Sequence, residues 1–280
     1  MSYITKTNLT LNAFFGSQIT QFAGLYAVSR HLGIEIKIFR EYINTIWDNK
    51  CYPIQLFNAF ELDHYLCSTE DVQPIDKTYN LQNTIKDDDV FKLDSNFNWD
   101  IQGYFHTYHY WHEYRNDLIK ILNFKKEITE LAKKNIELIK GSDQIPIISL
   151  HVRRGDYLQL SSLNLSLNYF KKSISIFSTL FEKFKIVVFS DDISWCKDNI
   201  ISEHIYFSEN NSNHVDMCMM TMCDHNIIAN SSFSFWGAYL NQHQNKIVIC
   251  PKMYIGLSDQ IHQFINYNWY LKEWISLDII

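Results

Sequence analysis

Two hydrophobic periods alternate along the chain. Ser17 to Leu32 carries apolar residues at helical spacing (Ile19, Phe22, Ala23, Tyr26, Ala27) and stops at Gly33, a residue suited to closing a helix. Thr7–Phe15, ending at Gly16, and Ile34–Phe39 carry strand patterns, so a β-α-β unit is predicted at the start. Residues 40–100 give no clear period, and Asp87-Asp88-Asp89 reads as a solvated charge run. Asn116–Leu138 is predicted as one helix, ended by Gly141-Ser142-Asp143. Beyond it, strands at Ile147–Val152, Phe184–Phe189, Ile205–Phe207, Asn226–Ala229 and Lys246–Cys250 alternate with helices at Asn168–Phe181, Ser194–Ile200, His214–Cys223 and Phe235–Asn241. That alternation means an α/β fold with a parallel sheet covered on both faces. The turn at 141–143 is the expected boundary, giving domains 1–143 and 144–280, and a last helix could return to the first domain.

Chemistry concentrates where the strands of the second half end. Ile147–Tyr157 reads I-I-S-L-H-V-R-R-G-D-Y, an apolar strand running into His151, Arg153, Arg154 and Asp156. The chain has five arginines against twenty lysines, and two of the five are adjacent here. A guanidinium is a planar fork of donors suited to phosphate. Two more strands end in Ser190-Asp191-Asp192 and Asn230-Ser231-Ser232. In a parallel sheet all three clusters project to one edge, where ligands of open α/β folds bind. Ser231 and Ser232 precede a predicted helix, so their hydroxyls and backbone N–H groups suit phosphate oxygens, though a plain N-cap is the competing reading. Two surface arginines at an exposed strand end is the bland reading of Arg153-Arg154, and convergence of the three clusters disfavours it.

Other motifs narrow the choice by absence. The chain has no GxxxxGK[ST], GxGxxG or GxSxG. Asp191-Asp192 could ligate a metal, yet neighbours on a strand point to opposite sides. Cys218, Cys223 and His225 fit no zinc spacing and read as core. The segment Gly103–Tyr114 is dense in aromatics, and its His106, His109 and His112 read as packing with some site-lining histidines.

The net charge of −6 argues against nucleic-acid binding. Six scattered cysteines without a CxxC point to reduced thiols. The opening M-S-Y-I-T-K-T-N-L-T lacks a secretory pattern, and no apolar run reaches the ~18 residues of a membrane span. The expected location is the cytoplasm or the inner face of its membrane, with at most a peripheral membrane contact.

His151-Val152-Arg153-Arg154-Gly155-Asp156-Tyr157 resembles the H-x-R-R-x-D motif of α1,2-, α1,6- and protein-O-fucosyltransferases. Val187–Lys197, Asp216–Asn241 and Lys246–Lys252 narrow the resemblance to the bacterial α1,2-fucosyltransferases of glycosyltransferase family 11. It implies two Rossmann-like domains in a GT-B-like arrangement, the first on the acceptor side and the second binding GDP-β-L-fucose. It also implies metal-independent, inverting transfer, with no cofactor, to the 2-hydroxyl of a galactose-containing glycan, in bacterial O-antigen synthesis. Arg153 and Arg154 would hold the β-phosphate, with Ser231, Ser232 and Asn230 beside them, while His151 and Asp216 border the guanine. Asp156, Asp191 and Asp192 would orient the arginines or the ribose, Asp156 being also the candidate base. The family's G-x-x-G-N-Q loop is replaced by Ala13-Phe14-Phe15-Gly16-Ser17-Gln18, where Gly16 and Gln18 are the remaining donor contacts. Another linkage, another GDP-sugar, or an inactive GDP-binding relative are the alternatives.

Overall fold

A computed structural model describes residues 2–11, 13–43, 52–82, 86–159, 163–253 and 269–278. The chain divides into two compact units, Met1–Lys125 and Lys126–Ile280.

The first unit is built on strands β1 (Tyr3–Thr5), β2 (Glu35–Ile36), β3 (Ile38–Phe39), β4 (Leu66–Cys67), β5 (Lys77–Asn80) and β6 (Trp99–Gln102). Four form a parallel sheet in the order β2-β1-β6-β5, and β3 pairs with β4 in a separate parallel ribbon. Its helices are α1 (Phe15–Leu32), α2 (Arg40–Ile43), α3 (Leu56–Ala59) and α4 (Arg115–Ile121). Helix α1 is buried on nearly every side, as its apolar residues around the whole circumference require, and Gly33 closes it in the left-handed conformation (φ 69°). At Gly24 the Phe105 ring lies against the helix backbone, where an added Cβ would sit 2.1 Å from a ring carbon.

Three expectations for this unit are corrected. The first strand lies at Tyr3–Thr5 rather than Thr7–Phe15, because the Asp100 carboxylate captures both the Thr7 N–H (2.9 Å) and the Thr7 hydroxyl (2.7 Å) and removes Thr7 from a ladder. Ile34–Phe39 is split, with Lys37 N donating to Ile4 O between β2 and β3. Asp87 is buried, not solvated: its carboxylate accepts from Tyr79 Oη and from the Gln82 and Asp89 N–H groups. The aromatic stretch supplies core, with Phe105, Tyr108, Tyr110 and Trp111 all buried.

The second unit holds β7 (Ile147–Val152), β8 (Lys185–Ser190), β9 (Ile205–Phe207), β10 (His225–Ile227), β11 (Val248–Pro251) and β12 (Ile275–Leu277). They form one parallel sheet in the order β12-β11-β10-β7-β8-β9. Helices α5 (Lys126–Lys140), α6 (Leu167–Leu180), α7 (Ile193–Asn199), α8 (Asn213–Met222) and α9 (Ser232–Leu240) surround it. Every residue of β7 is buried. Ile148, Leu150 and Val152 share a core with Tyr169, Phe170 and Phe177 of α6, and on the other face His151 meets Phe233 of α9. Opposite parities of one strand therefore face opposite layers.

The predicted helix over 116–138 is two helices. Between them Phe124 bridges back to Phe60, and Lys125 N donates to Ala59 O. The units divide ahead of α5 rather than at 143/144, because the buried Ile128, Ala132 and Ile136 stripe of α5 packs with the second unit. Lys185 Nζ of β8 also caps that helix, donating to Ile139 O and Lys140 O. Strand β12 was not legible from periodicity. Among the described residues no helix follows β11, and residues 254–268 lie outside them, so the expected last helix is not placed.

Candidate functional site

The register of β7 with β8 pairs Val152 with Ser190. Arg153-Arg154 and Asp191-Asp192 therefore leave the sheet side by side at its carboxyl edge. Asp191 serves both arginines: Oδ1 accepts the Arg154 backbone N–H at 2.8 Å, and Oδ2 pairs with Arg153 Nη1 at 2.6 Å. Arg153 Nη2 pairs with Asp156 Oδ1, also at 2.6 Å. Arg154 is bound through Nε, which donates to Asp192 Oδ2 at 3.0 Å, while its guanidinium lies 3.9 Å from the Trp195 ring centroid. Asp192 has a second duty: its Oδ1 accepts the Trp195 N–H and caps α7. The Arg154 hydrogen bond, then that cap, holds its carboxyl below the usual aspartate range.

The end of β10 closes the other side. Ser231 is the N-cap of α9, its Oγ accepting the Phe233 N–H, and the half-buried Ser232 opens the helix. Asn230 is buried, donates from Nδ2 to Leu163 O, and has a buried Oδ1 without a hydrogen-bond partner among the described residues. Tyr157 Oη donates to Asn230 O at 3.0 Å and so ties the turn after β7 to the end of β10. Burial pushes that phenol up to about 12, so it stays a neutral donor. The three strand-end clusters are thus joined by hydrogen bonds and ion pairs at one edge. A cationic fork beside a helix N-terminus is an arrangement that receives phosphate oxygens.

The remaining predicted residues are placed differently. His151 is 5 % exposed, its Nδ1 has no partner among the described residues, and burial pushes it down to about 3. It is a neutral ring within the sheet layer. Asp216 lies in the first turn of α8, two strands from β7, and accepts from Ser208 Oγ at 2.6 Å. Burial pushes its carboxyl up to about 6, against the opposing hydrogen bonds from Ser208 and Asn211. Gly16 and Gln18 belong to the first unit. The Gln18 amide is fully used there: Nε2 donates to Ala13 O and Pro53 O, and Oε1 accepts from Gln55 N and Leu56 N. A donor contact at Gln18 therefore requires that one of these hydrogen bonds be displaced. Gly16 is buried in the first turn of α1, its carbonyl accepting from Thr20 Oγ1.

Sequence reading gave no role to Tyr157 or Trp195. Trp195 stands three residues after Asp192, so an N-cap followed by an aromatic within one turn was the available signal. Among the described residues no group of three or more His, Cys, Asp or Glu side chains is arranged to hold a metal. No described helix is long and apolar enough to cross a membrane.

Known proteins share this architecture. The structure of the fucosyltransferase NodZ from Bradyrhizobium superposes with a TM-score of 0.59 at 13 % identity, covering 84 % of this chain and 91 % of that one. Such a likeness concerns the fold, two Rossmann-like units of the GT-B type. An O-antigen biosynthesis glycosyltransferase of Escherichia coli, WbnK, is 37 % identical over 39 % of each chain. An alpha-1,2-colitosyltransferase of Escherichia coli is 34 % identical over 53 % of each. The matches thus span about two fifths and about half of those relatives' length. A family model, by contrast, matches residues 1–278, from the short first strand to the last. With both units and the arginine pair inside that match, the chain belongs to glycosyl transferase family 11.

Proposed function

We propose that this protein transfers L-fucose from GDP-β-L-fucose, with inversion, to the 2-hydroxyl of a galactoside in bacterial surface-glycan synthesis. The observation that carries the reading is the adjacent arginine pair at the end of β7, fixed by Asp191 and Asp192 at the end of β8. Departure of GDP places negative charge on the β-phosphate while the sugar becomes oxocarbenium-like. Guanidinium groups held at that place by carboxylates stabilise the charge that develops there. Arg153 and Arg154 take the diphosphate, with Ser231, Ser232 and Asn230 at the start of α9 beside them. Asp216 accepts from the N1–H and N2–H₂ edge of guanine. Asp191 and Asp192 orient the arginines. The acceptor oxygen then bonds to the anomeric carbon as the bond from that carbon to the GDP oxygen breaks, without a resident cofactor, in the cytoplasm or at the inner face of its membrane.

Incubation with GDP-fucose and lactose or N-acetyllactosamine, followed by linkage analysis, tests this. The expected product carries fucose on the galactose 2-hydroxyl, and Arg154→Ala lowers kcat by roughly 10²–10³, the scale of losing one such donor. A product of another linkage, or full activity in Arg154→Ala, overturns the reading. A second reading, transfer of another GDP-activated sugar, is favoured by the similarity to a relative named alpha-1,2-colitosyltransferase. Competition between GDP-fucose and GDP-mannose or other GDP-sugars for turnover separates the two.

A further inference from the structure

The two adjacent arginines are not equivalent. Arg154 is held through Nε and by the face of Trp195, so its terminal amino groups remain outside its ion pair with Asp192. Arg153 has both terminal nitrogens engaged, Nη1 by Asp191 and Nη2 by Asp156. A diphosphate can meet Arg154 as it stands. To meet the terminal edge of Arg153 it must displace a carboxylate.

Which carboxylate yields follows from what else each one holds. Asp191 also accepts the Arg154 backbone N–H, and its side chain is 26 % exposed. Asp192 also caps α7 through the Trp195 N–H. Asp156 is held, among the described residues, by Arg153 alone, and its side chain is 48 % exposed. It stands at the start of a short turn, Asp156–Gln159, whose Leu158 N–H donates to Arg154 O. The backbone is therefore anchored while the side chain is free to swing. A half-exposed single ion pair is also the weakest of these attachments, because solvent screens it.

We propose that Asp156 is a latch on Arg153 which the donor diphosphate displaces, so that Arg153 joins the phosphate clamp only when a donor is bound. The proposal rests on the GDP-fucose reading above. In the resting protein the latch offsets the charge of Arg153. When a phosphate oxygen takes Nη2, Asp156 is left next to the leaving group with no cationic partner. The acceptor oxygen forms its bond to the anomeric carbon as the bond from that carbon to the phosphate oxygen breaks. The bonding pair departs with GDP, whose charge the freed edge of Arg153 stabilises, and the acceptor proton is released to solvent. The clamp is in this way completed by donor binding, and Asp156 stays paired until a donor is present.

Asp156→Asn, close to isosteric at a half-exposed position, tests this, with thermal melting as the check on folding. GDP binding by calorimetry is expected to tighten roughly two- to fivefold, the scale of one exposed ion pair no longer competing. The KM for GDP-fucose in transfer to lactose is expected to fall by a similar factor. Tighter binding on loss of a carboxylate is an outcome that a merely structural role does not produce. Asp156→Glu, which keeps the carboxylate, is expected to bind GDP close to the wild type. GDP affinity that is unchanged or weaker in Asp156→Asn overturns the latch. Failure of the wild-type chain to bind GDP overturns the GDP-fucose reading itself and the latch with it.

Discussion

Gly155 and Asp191 approach so closely that a methyl group on the glycine would lie 2.6 Å from Asp191 Oδ2. Gly155 is flanked by Arg154 and Asp156, and Asp191 is the carboxylate shared by Arg153 Nη1 and the Arg154 N–H. The motif's glycine therefore makes room for the anchor of its arginines. Gly155→Ala is expected to fold, to lose about 1–3 kcal/mol of stability by overpacking, and to lower donor turnover. In an Asp191→Ala background the same change is expected to cost little, because nothing is left to displace. Thermal melting and transfer rates of the two single variants and the double variant measure that coupling.

Arg154 is kept flat against Trp195 and bonded edge-on to Asp192, so its shape matters as well as its charge. Arg154→Lys keeps the charge and loses both the fork and the stacking surface. It is expected to weaken GDP binding nearly as much as Arg154→Ala. Trp195→Ala removes the stack together with some packing against the core, and is expected to weaken GDP binding by about 0.5–2 kcal/mol. Calorimetry with GDP compares the three variants. Lysine at 154 binding GDP like arginine overturns the role of the planar fork.

The sheet of the second unit was legible because its central strands are buried on both faces and read as short apolar runs; Ile147–Val152 and, at the sheet edge, Ile205–Phe207 stand at their predicted bounds. The arginine and aspartate clusters followed from the same pattern, since the ends of parallel strands share an edge. The first unit was harder for a physical reason. Its first strand is three residues long, and a side chain distant in sequence, Asp100, decides where it stops. Asp87 likewise looked solvated beside two exposed aspartates, until Tyr79 and backbone N–H groups reached its carboxylate. Pairings of this kind carry no periodic signal. The amide partners of Gln18 at Pro53, Gln55 and Leu56 are of the same kind, far from it in the chain.

If Asp216 reads guanine as proposed, one proton links its contribution to stability and its ligand binding. Burial raises its carboxyl from 3.8 to about 6 in the folded chain, so the folded state holds the proton more tightly than the unfolded one. Its contribution to stability is fully present below pH 3.8 and is lost as the pH rises through about 6. Guanine recognition needs the opposite form, the carboxylate that accepts from N1–H and N2–H₂. GDP binding by the wild type is therefore expected to weaken as the pH falls through about 6. Asp216→Asn is expected to be at least as stable as the wild type at pH 7, to bind GDP more weakly, and to lose that pH dependence. Melting curves and GDP titrations between pH 4 and 8 follow both, and an unaltered affinity in Asp216→Asn removes the residue from the guanine site.

His151 acts on stability with the reverse sign. The ring is buried between the sheet and Phe233, and burial lowers it from 6.5 to about 3, with the Asp191 charge opposing and the Arg153 charge assisting. The unfolded chain thus takes up a proton that the folded chain refuses. The stability this residue contributes is present above pH 6.5 and is lost as the pH falls toward about 3. Its Nδ1 has no partner among the described residues, so an apolar side chain of similar size gives up no hydrogen bond at that atom. His151→Leu is expected to flatten the acid limb of melting temperature against pH while changing stability little at pH 8. If His151 bordered the guanine as a charged or hydrogen-bonding group, the same variant would weaken GDP binding at pH 8. The buried, neutral ring leads to the opposite expectation, GDP affinity close to that of the wild type, with the steeper effect confined to acid stability.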